Sequence, residues 1–175
     1  VTSSGANTMG TLTLSDKIIT QEIEPDADET YDIGTSSKKY NTVYAKATSA
    51  QYADLAEIYE TDSEYEVGTV VVFGGDKEIT QSTISNDPRV AGVISENPAY
   101  LMNNDSEGQA IALVGKVKCK VHGMIAKGDL LTTSGEKPGY AKKAISPVLG
   151  SIVGKAMEDK TDSGESVILI SVGRL

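Results

Sequence analysis

Apolar and polar residues alternate in short segments through the second half of the chain. In residues 117–121 (VKCKV), the two valines and Cys119 share one face of an extended segment, and the lysines share the other. Residues 74–76 (GGD) separate two such segments and are typical of a hairpin turn, because glycine adopts positive φ at little steric cost. Short strands with regular turn signals between them predict an all-β domain.

The same half of the chain carries an internal repeat. Four landmarks with similar aliphatic neighbours recur in the same order. The matched pairs are Gly68 with Gly128, Gly92 with Gly154, Glu96 with Glu158, and Gly115 with Gly173. Four ordered matches are more than chance would produce. We therefore predict a β head over residues 61–175, built from two related β-units (61–117 and 121–175) that share one barrel or sandwich.

Residues 31–45 (YDIGTSSKKYNTVYA) follow a different pattern. A predicted strand with Tyr31 and Ile33 on one face leads into a Thr-Ser-Ser turn, and the extended pattern resumes at Tyr40. Too few of these residues are apolar to close a core, so the segment needs neighbouring copies to cover its tyrosine and isoleucine side chains. It predicts a short fibrous β stalk over residues 1–47 and an intertwined trimer.

Tyrosine is concentrated in this part of the chain, where six of the eight tyrosines lie within the first 65 residues. Tyrosine buries a large amphipathic surface between chains, and it also stacks on sugars; packing between chains is the favoured use and sugar contact the alternative. The residues predicted to form the fibre interface are Tyr31, Ile33, Tyr40, Tyr44, Tyr52, Leu55 and Tyr59.

Residues 48–60 connect the predicted stalk to the predicted head. Apolar residues at positions i, i+3, i+4 and i+7 are Tyr52, Leu55, Ala56 and Tyr59. This spacing, with a Thr-Ser-Ala-Gln capping box before it, predicts a short helix. The segment is short, and alternation as a strand is the other interpretation.

Residues 31–45, with residues 23–25 (IEP) before them, resemble the repeat found near the ends of bacteriophage tail fibres and tail spikes. The similarity continues through residues 52–57 (YADLAE) and 65–75 (YEVGTVVVFGG), which resemble the carboxy-terminal region of phage fibre and neck-appendage proteins. It extends from roughly residue 18 to the end of the chain.

The resemblance implies a structural component of a phage tail fibre tip, made in the host cytoplasm and located in the virion. Such a component acts in trimer assembly and in attachment to a host receptor. Its implied partners are two further copies of itself, the upstream fibre and a host surface glycan or protein. The resemblance also implies an alternative, in which the head is an intramolecular chaperone that trimerises the fibre and then cuts itself away. No serine and lysine pair of that chaperone can be aligned here, so no catalytic residue is named.

Composition narrows the range of possible binding partners. The net charge of -9 argues against nucleic-acid binding, which needs a basic face to displace counterions. No apolar run is long enough to cross a bilayer, and the first residues have no signal-peptide character. The chain does not begin with Met, and we therefore expect it to be a fragment of a longer protein.

Candidate chemistry is sparse. The single Cys119 excludes an internal disulfide and is predicted to be a buried core thiol. One cysteine and one histidine cannot supply a zinc ligand set, although three chains could bring three copies of His122 to a common axis. No cofactor is expected. Cys119 and His122 form a nucleophile and base pair by residue type, but an offset of three along a strand separates them; Ser134 and Ser163 lie in turns.

An acidic run spans the connector and the start of the head. Its members are Asp54, Glu57, Glu60, Asp62, Glu64 and Glu66. We predict a solvated face that keeps the protein soluble, with a cation or receptor site that uses oxygen ligands as the alternative. A free small-molecule enzyme is disfavoured, because the sequence localises no pocket with convergent polar groups.

Overall fold

A computed structural model describes residues 18, 20, 23–45 and 49–173. The chain divides into two compact units, Val1–Lys46 and Ala47–Leu175. Among the described residues it is all β, with ten strands and no helix, and this confirms the predicted fold class at that level. The described part of the chain therefore holds no helix that is long and apolar enough to cross a membrane.

All ten strands lie in the second unit. They are β1 (Asp54–Tyr59), β2 (Val70–Phe73), β3 (Ile79–Gln81), β4 (Val90–Ile94), β5 (Tyr100–Met102), β6 (Gln109–His122), β7 (Leu130–Thr133), β8 (Ala141–Lys143), β9 (Ile152–Ala156) and β10 (Glu165–Val172). The longest is β6, and its two halves have different neighbours. The first half pairs with β1 and β4, and the second half pairs with β8 and β10.

Five strands close into a barrel, which we call the second ring. It consists of the second half of β6 followed by β10, β9, β7 and β8, each hydrogen-bonded to the next. The pairs are antiparallel except for the closing one, where Val121 of β6 pairs in parallel with Ala141 of β8. Along β6, Val117, Cys119 and Val121 are buried while the intervening lysines face outward. The predicted burial of Cys119 is confirmed.

The other strands repeat this pairing scheme in what we call the first ring. It consists of β1, the first half of β6, β4, β2 and β3, all joined by antiparallel pairs. A parallel bridge between Thr61, just after β1, and Ile79 of β3 completes it, as the Val121 and Ala141 pair completes the second ring. The short strand β5 lies outside, parallel to β1.

Two of the recurring glycines explain how neighbouring strands approach within each ring. Gly92 in β4 and Gly154 in β9 both lie beside a shift of strand register. A Cβ added at either position would lie 2.4 Å from a carbonyl oxygen of the adjacent strand, that of Ala112 or that of Ser171. Only glycine leaves room for such a contact, so matched glycines of the sequence repeat occupy matched places in the two rings.

Two apolar clusters fill the second unit. The larger is aliphatic and includes Cys119, Leu131, Val153 and Ile170. The smaller lies in the first ring, where Val71, Ile79, Ile94 and Ile111 pack with partly buried side chains that include Tyr59 and Tyr65. The first ring therefore contributes to the larger cluster, through Val70, Val93 and Ala112, and also encloses a smaller, partly aromatic one.

The helix predicted for the connector is wrong. Asp54–Tyr59 is strand β1, which pairs with β5 on one side and with β6 on the other. The 3.6-residue spacing of apolar side chains was misleading because backbone pairing on both sides decides the conformation of this segment. The pairing scheme of the first ring thus begins at Asp54, and one continuous strand, β6, joins the two rings.

Residues 23–45 belong to the first compact unit. The predicted turn is present, since Thr35 and Lys38 exchange backbone hydrogen bonds of 3.0 and 3.2 Å. The predicted strands on either side are not formed, because residues 23–45 contain an isolated bridge and no strand. Pairing with neighbouring copies, and the stalk and trimer that depend on it, stay predictions.

Candidate functional site

The predicted interface residues of the first unit are exposed in the single chain. Exposure is 62% for Tyr31, 84% for Ile33, 68% for Tyr40 and 96% for Tyr44. These side chains thus present large apolar surface that their own unit does not cover.

The other predicted interface residues lie in the second unit. Tyr52 precedes β1 and is 50% exposed. Leu55 and Tyr59 are in β1 and are partly buried. The Tyr59 ring contacts the Phe73 ring edge-on at 5.9 Å between centroids and packs against the smaller apolar cluster. Part of the Tyr59 surface is therefore covered by its own chain.

His122, which three chains could bring to a common axis, contacts a serine of its own chain. Its Nε2 atom lies 2.7 Å from the Ser134 hydroxyl oxygen, at the end of β7. That hydroxyl also accepts the backbone N–H groups of Glu136 and Lys137, at 3.1 and 3.0 Å. A hydroxyl has one hydrogen and two lone pairs, so the remaining hydrogen is donated to His122 Nε2. The imidazole is therefore neutral, with its proton on Nδ1.

Charged groups surround this pair. Glu136 is bound to Lys142 at 3.1 Å, and Glu165 is bound to Lys137 at 2.5 Å. Burial lowers the pKa of His122; the two carboxylates oppose that shift and the two lysines add to it. The lowered pKa agrees with the acceptor role of Nε2.

The contact has the geometry of a base beside a nucleophile, but the nucleophile is enclosed. Ser134 is 0% exposed, and two backbone donors already occupy its lone pairs. An attacking oxygen must reach a carbonyl carbon, and this one cannot do so in the observed conformation. The pair fixes the turn that follows β7. Cys119 does not take part, since it is fully buried and burial raises the pKa of its thiol.

The acidic run is divided by the fold. Glu60, Asp62, Glu64 and Glu66 are exposed, as predicted for a solvated face. Lys77 contacts Glu60 at 2.8 Å, and Lys120 contacts Glu66 at 2.6 Å. In the part of the chain that the structure describes, no group of three His, Cys, Asp or Glu residues could hold a metal ion.

Asp54 contradicts the prediction of a solvated face. It is 5% exposed, and its Oδ2 atom accepts a hydrogen bond of 2.6 Å from the Ser95 hydroxyl. The start of β1 is drawn onto β6 because the Ala53 carbonyl accepts the Lys116 N–H at 3.2 Å. Gly115 allows this crossing, since a Cβ there would lie 2.2 Å from the Ala53 oxygen.

Asp54 lines a groove of about 260 Å³, which we call the Asp54 groove. Polar groups on its wall include those of Ser95, Glu96, Asn97, Lys116 and Lys118, and apolar surface comes from Tyr52, Val67, Val117 and Leu169. Lys118 and Glu96 form an ion pair of 2.9 Å there, with both side chains more than half exposed. The groove thus places a buried carboxylate beside exposed donors and a half-exposed aromatic ring.

The sequence did not single out this groove. The strand interpretation of residues 54–59, which the sequence left as the alternative, has a period of two and places Asp54 with Ala56 on a buried face. Its other residues come from distant parts of the chain and carry no local motif. No family model and no curated protein matches the sequence, so the site rests on its own geometry.

Proposed function

We propose that this chain is the end of a bacteriophage tail fibre, a structural part of the virion that assembles as a homotrimer and attaches to the host surface. The observation that carries the proposal is the exposure of Tyr31, Ile33, Tyr40 and Tyr44, between 62% and 96%. Apolar side chains in such number within one short segment are typical of surfaces that an assembly covers.

The second unit supports a different part of the same role. It closes its own aliphatic core around Val121, Leu131 and Ile170, all 0% exposed. A module that folds on its own core can stand at the tip of a fibre and present loops to a host. Assembly is then assigned to the first unit and attachment to the second.

The mass of the particle tests the assembly role. We expect light scattering on the full chain to give about three times the monomer mass of 18.4 kDa. The variant Y31A/I33A/Y40A/Y44A should shift the mass towards the monomer, because it removes the apolar surface that drives association. The control N41A, an exposed polar position in the same segment, should stay trimeric. A monomeric unaltered chain would overturn the proposal.

The alternative function is a self-cleaving chaperone that trimerises the fibre. No catalytic residue is assigned to it, because Ser134, which His122 contacts at 2.7 Å, is fully buried. A longer chain that includes the upstream fibre should then release a fragment of constant size without added protease. An intact chain after long incubation would exclude the alternative.

A further inference from the structure

We propose that the Asp54 groove binds a neutral saccharide, one sugar ring at a time. The inference rests on the attachment role proposed above and names the ligand chemistry and the site for it. Three features carry it: a buried carboxylate with unused acceptor capacity, a mixture of charges on the wall, and an aromatic ring at the edge.

The carboxylate provides the first argument. Asp54 is 5% exposed. Among the described residues, its carboxylate accepts one side-chain hydrogen bond, which the Ser95 hydroxyl donates at 2.6 Å. A carboxylate can accept about four hydrogen bonds. Asp54 lines the groove, so its remaining acceptor sites suit a ligand that brings hydroxyl donors.

The charges on the wall decide between classes of ligand. Lys116 and Lys118 would repel a cation, and Lys118 is already paired with Glu96 at 2.9 Å. An anion would meet the buried Asp54 carboxylate. A sugar hydroxyl can donate one hydrogen bond and accept others. A neutral sugar can therefore donate to the Asp54 carboxylate and accept from Lys116 or from the Asn97 amide.

Tyr52 and the size of the groove complete the argument. The Tyr52 side chain is 50% exposed and lines the groove, so its ring offers a flat apolar surface with a negative face. The C–H groups on one side of a pyranose ring suit that surface. The volume of about 260 Å³ lies just below the range of roughly 300–1,000 Å³ that drug-sized ligands need, which matches a single sugar ring.

The test is an NMR titration of the full chain with glucose, galactose and N-acetylglucosamine at millimolar concentrations. At least one sugar should shift the amide signals of Ser95, Asn97 and Lys116 in a saturable way. D54N should weaken binding by about tenfold, because it removes a charged acceptor. Glucuronate should bind more weakly than glucose because its carboxylate meets Asp54.

Tyrosine variants provide a matched control that leaves the buried groups intact. Y52A should weaken sugar binding several-fold. Y100A changes a tyrosine that is 63% exposed in β5 and does not line the groove, so its affinity should equal that of the unaltered chain. Both positions are surface-exposed, so the folded spectrum should persist in each.

Three results would overturn the inference: none of the three sugars shifts the groove signals, the shifts fall elsewhere, or Y52A binds as tightly as Y100A. Calcium chloride shifting the groove signals in place of sugar would also overturn it. Light scattering on the same samples reports assembly separately. A trimer without sugar binding removes this inference alone, and a monomer that binds sugar removes the fibre proposal alone.

Discussion

The two rings of the second unit share a pairing scheme and differ in what they enclose. The larger aliphatic cluster extends through both rings, because Val70, Val93 and Ala112 of the first ring belong to it, whereas the smaller cluster, with partly buried tyrosines around it, lies in the first ring alone. The Asp54 groove begins where β1 of the first ring meets β6. One pairing scheme is thus repeated around a shared aliphatic core, and one copy adds a separate, partly aromatic cluster. The Asp54 groove likewise takes residues from both rings, since Asp54 belongs to the first and Leu169 to the second.

The rings also differ where each meets its hairpin turn. Asp62 lies next to Thr61, which bridges the first ring, and a Cβ on Gly75 would lie 2.6 Å from its Oδ2 atom. His122 follows Val121, which closes the second ring, and contacts Ser134. We call the residue that follows each ring-closing bridge, together with the turn it contacts, the corner of that ring. The corner of the first ring carries a carboxylate, and the corner of the second ring carries an imidazole.

The largest effect should come from the two cores. I170A removes a fully buried side chain from the larger cluster and should lower the free energy of unfolding by about 4 kcal/mol. I79A in the smaller cluster should cost about 2–3 kcal/mol, since fewer neighbours are fixed around the cavity. Urea denaturation measures both. Equal losses, or a larger loss for I79A, would remove the distinction between the two cores.

Substitutions at the matched glycines test whether the two rings share one pairing scheme. G92A and G154A each place a methyl group 2.4 Å from a carbonyl oxygen, and each should cost about 1–3 kcal/mol. G128A is the control for backbone strain without contact, because its φ is +91° and nothing lies within 4 Å of the added methyl. It should cost about 1 kcal/mol. A harmless change at either Gly92 or Gly154 would show that the two rings do not approach their strands alike.

Ser134 tests the corner of the second ring. S134A leaves the N–H groups of Glu136 and Lys137 without their acceptor and should cost about 1–2 kcal/mol. The turn should then exchange its amide hydrogens faster in hydrogen-exchange measurements. S163A, at an exposed serine in another turn, should leave both stability and exchange unchanged. Unchanged exchange in S134A would show that the hydroxyl does not hold the turn.

The smallest effect is a pH dependence that separates the corners. The pKa of His122 is lowered by burial, so the unfolded chain binds the proton more readily. Its contribution to stability is complete above the unfolded pKa of about 6.5 and falls as the pH drops from there towards the folded pKa. The Tyr65 hydrogen bond lowers the pKa of Asp62, and that contribution is lost only in stronger acid, below about pH 4.

Urea denaturation midpoints measured between pH 7.5 and pH 4.5 test whether His122 and Asp62 affect stability in different pH ranges. Stability of the unaltered chain should decline below pH 6.5, and H122N should flatten that decline. D62N should leave the decline in place and lower the midpoints by the same amount throughout this range, because the contribution of Asp62 is complete above about pH 4. A decline between pH 6.5 and pH 4.5 that persists in H122N would assign the effect to other groups.

Alternation and turn signals were enough to predict an all-β head with Cys119 inside, because a half-buried strand repeats every two residues. The recurring glycines predicted two related units, whereas the close approach of strands at Gly92 and Gly154 was visible only in the structure. The sequence alone misplaced β1, since its apolar spacing suits a helix when the neighbouring strands are unknown. It also assigned Asp54 to a solvated face, because burial of a carboxylate depends on residues distant in the chain.

The features that local sequence patterns encode are therefore the strand period, the turns, the burial of the Cys119 thiol and the order of the repeated segments. Tertiary structure decided which segments share a sheet, how β6 serves both rings, and which polar groups meet. The contact of His122 with Ser134 joins residues 12 apart, and that of Asp54 with Ser95 joins residues 41 apart. Such contacts form only when strands from separate parts of the chain are brought side by side, and no local pattern encodes that approach.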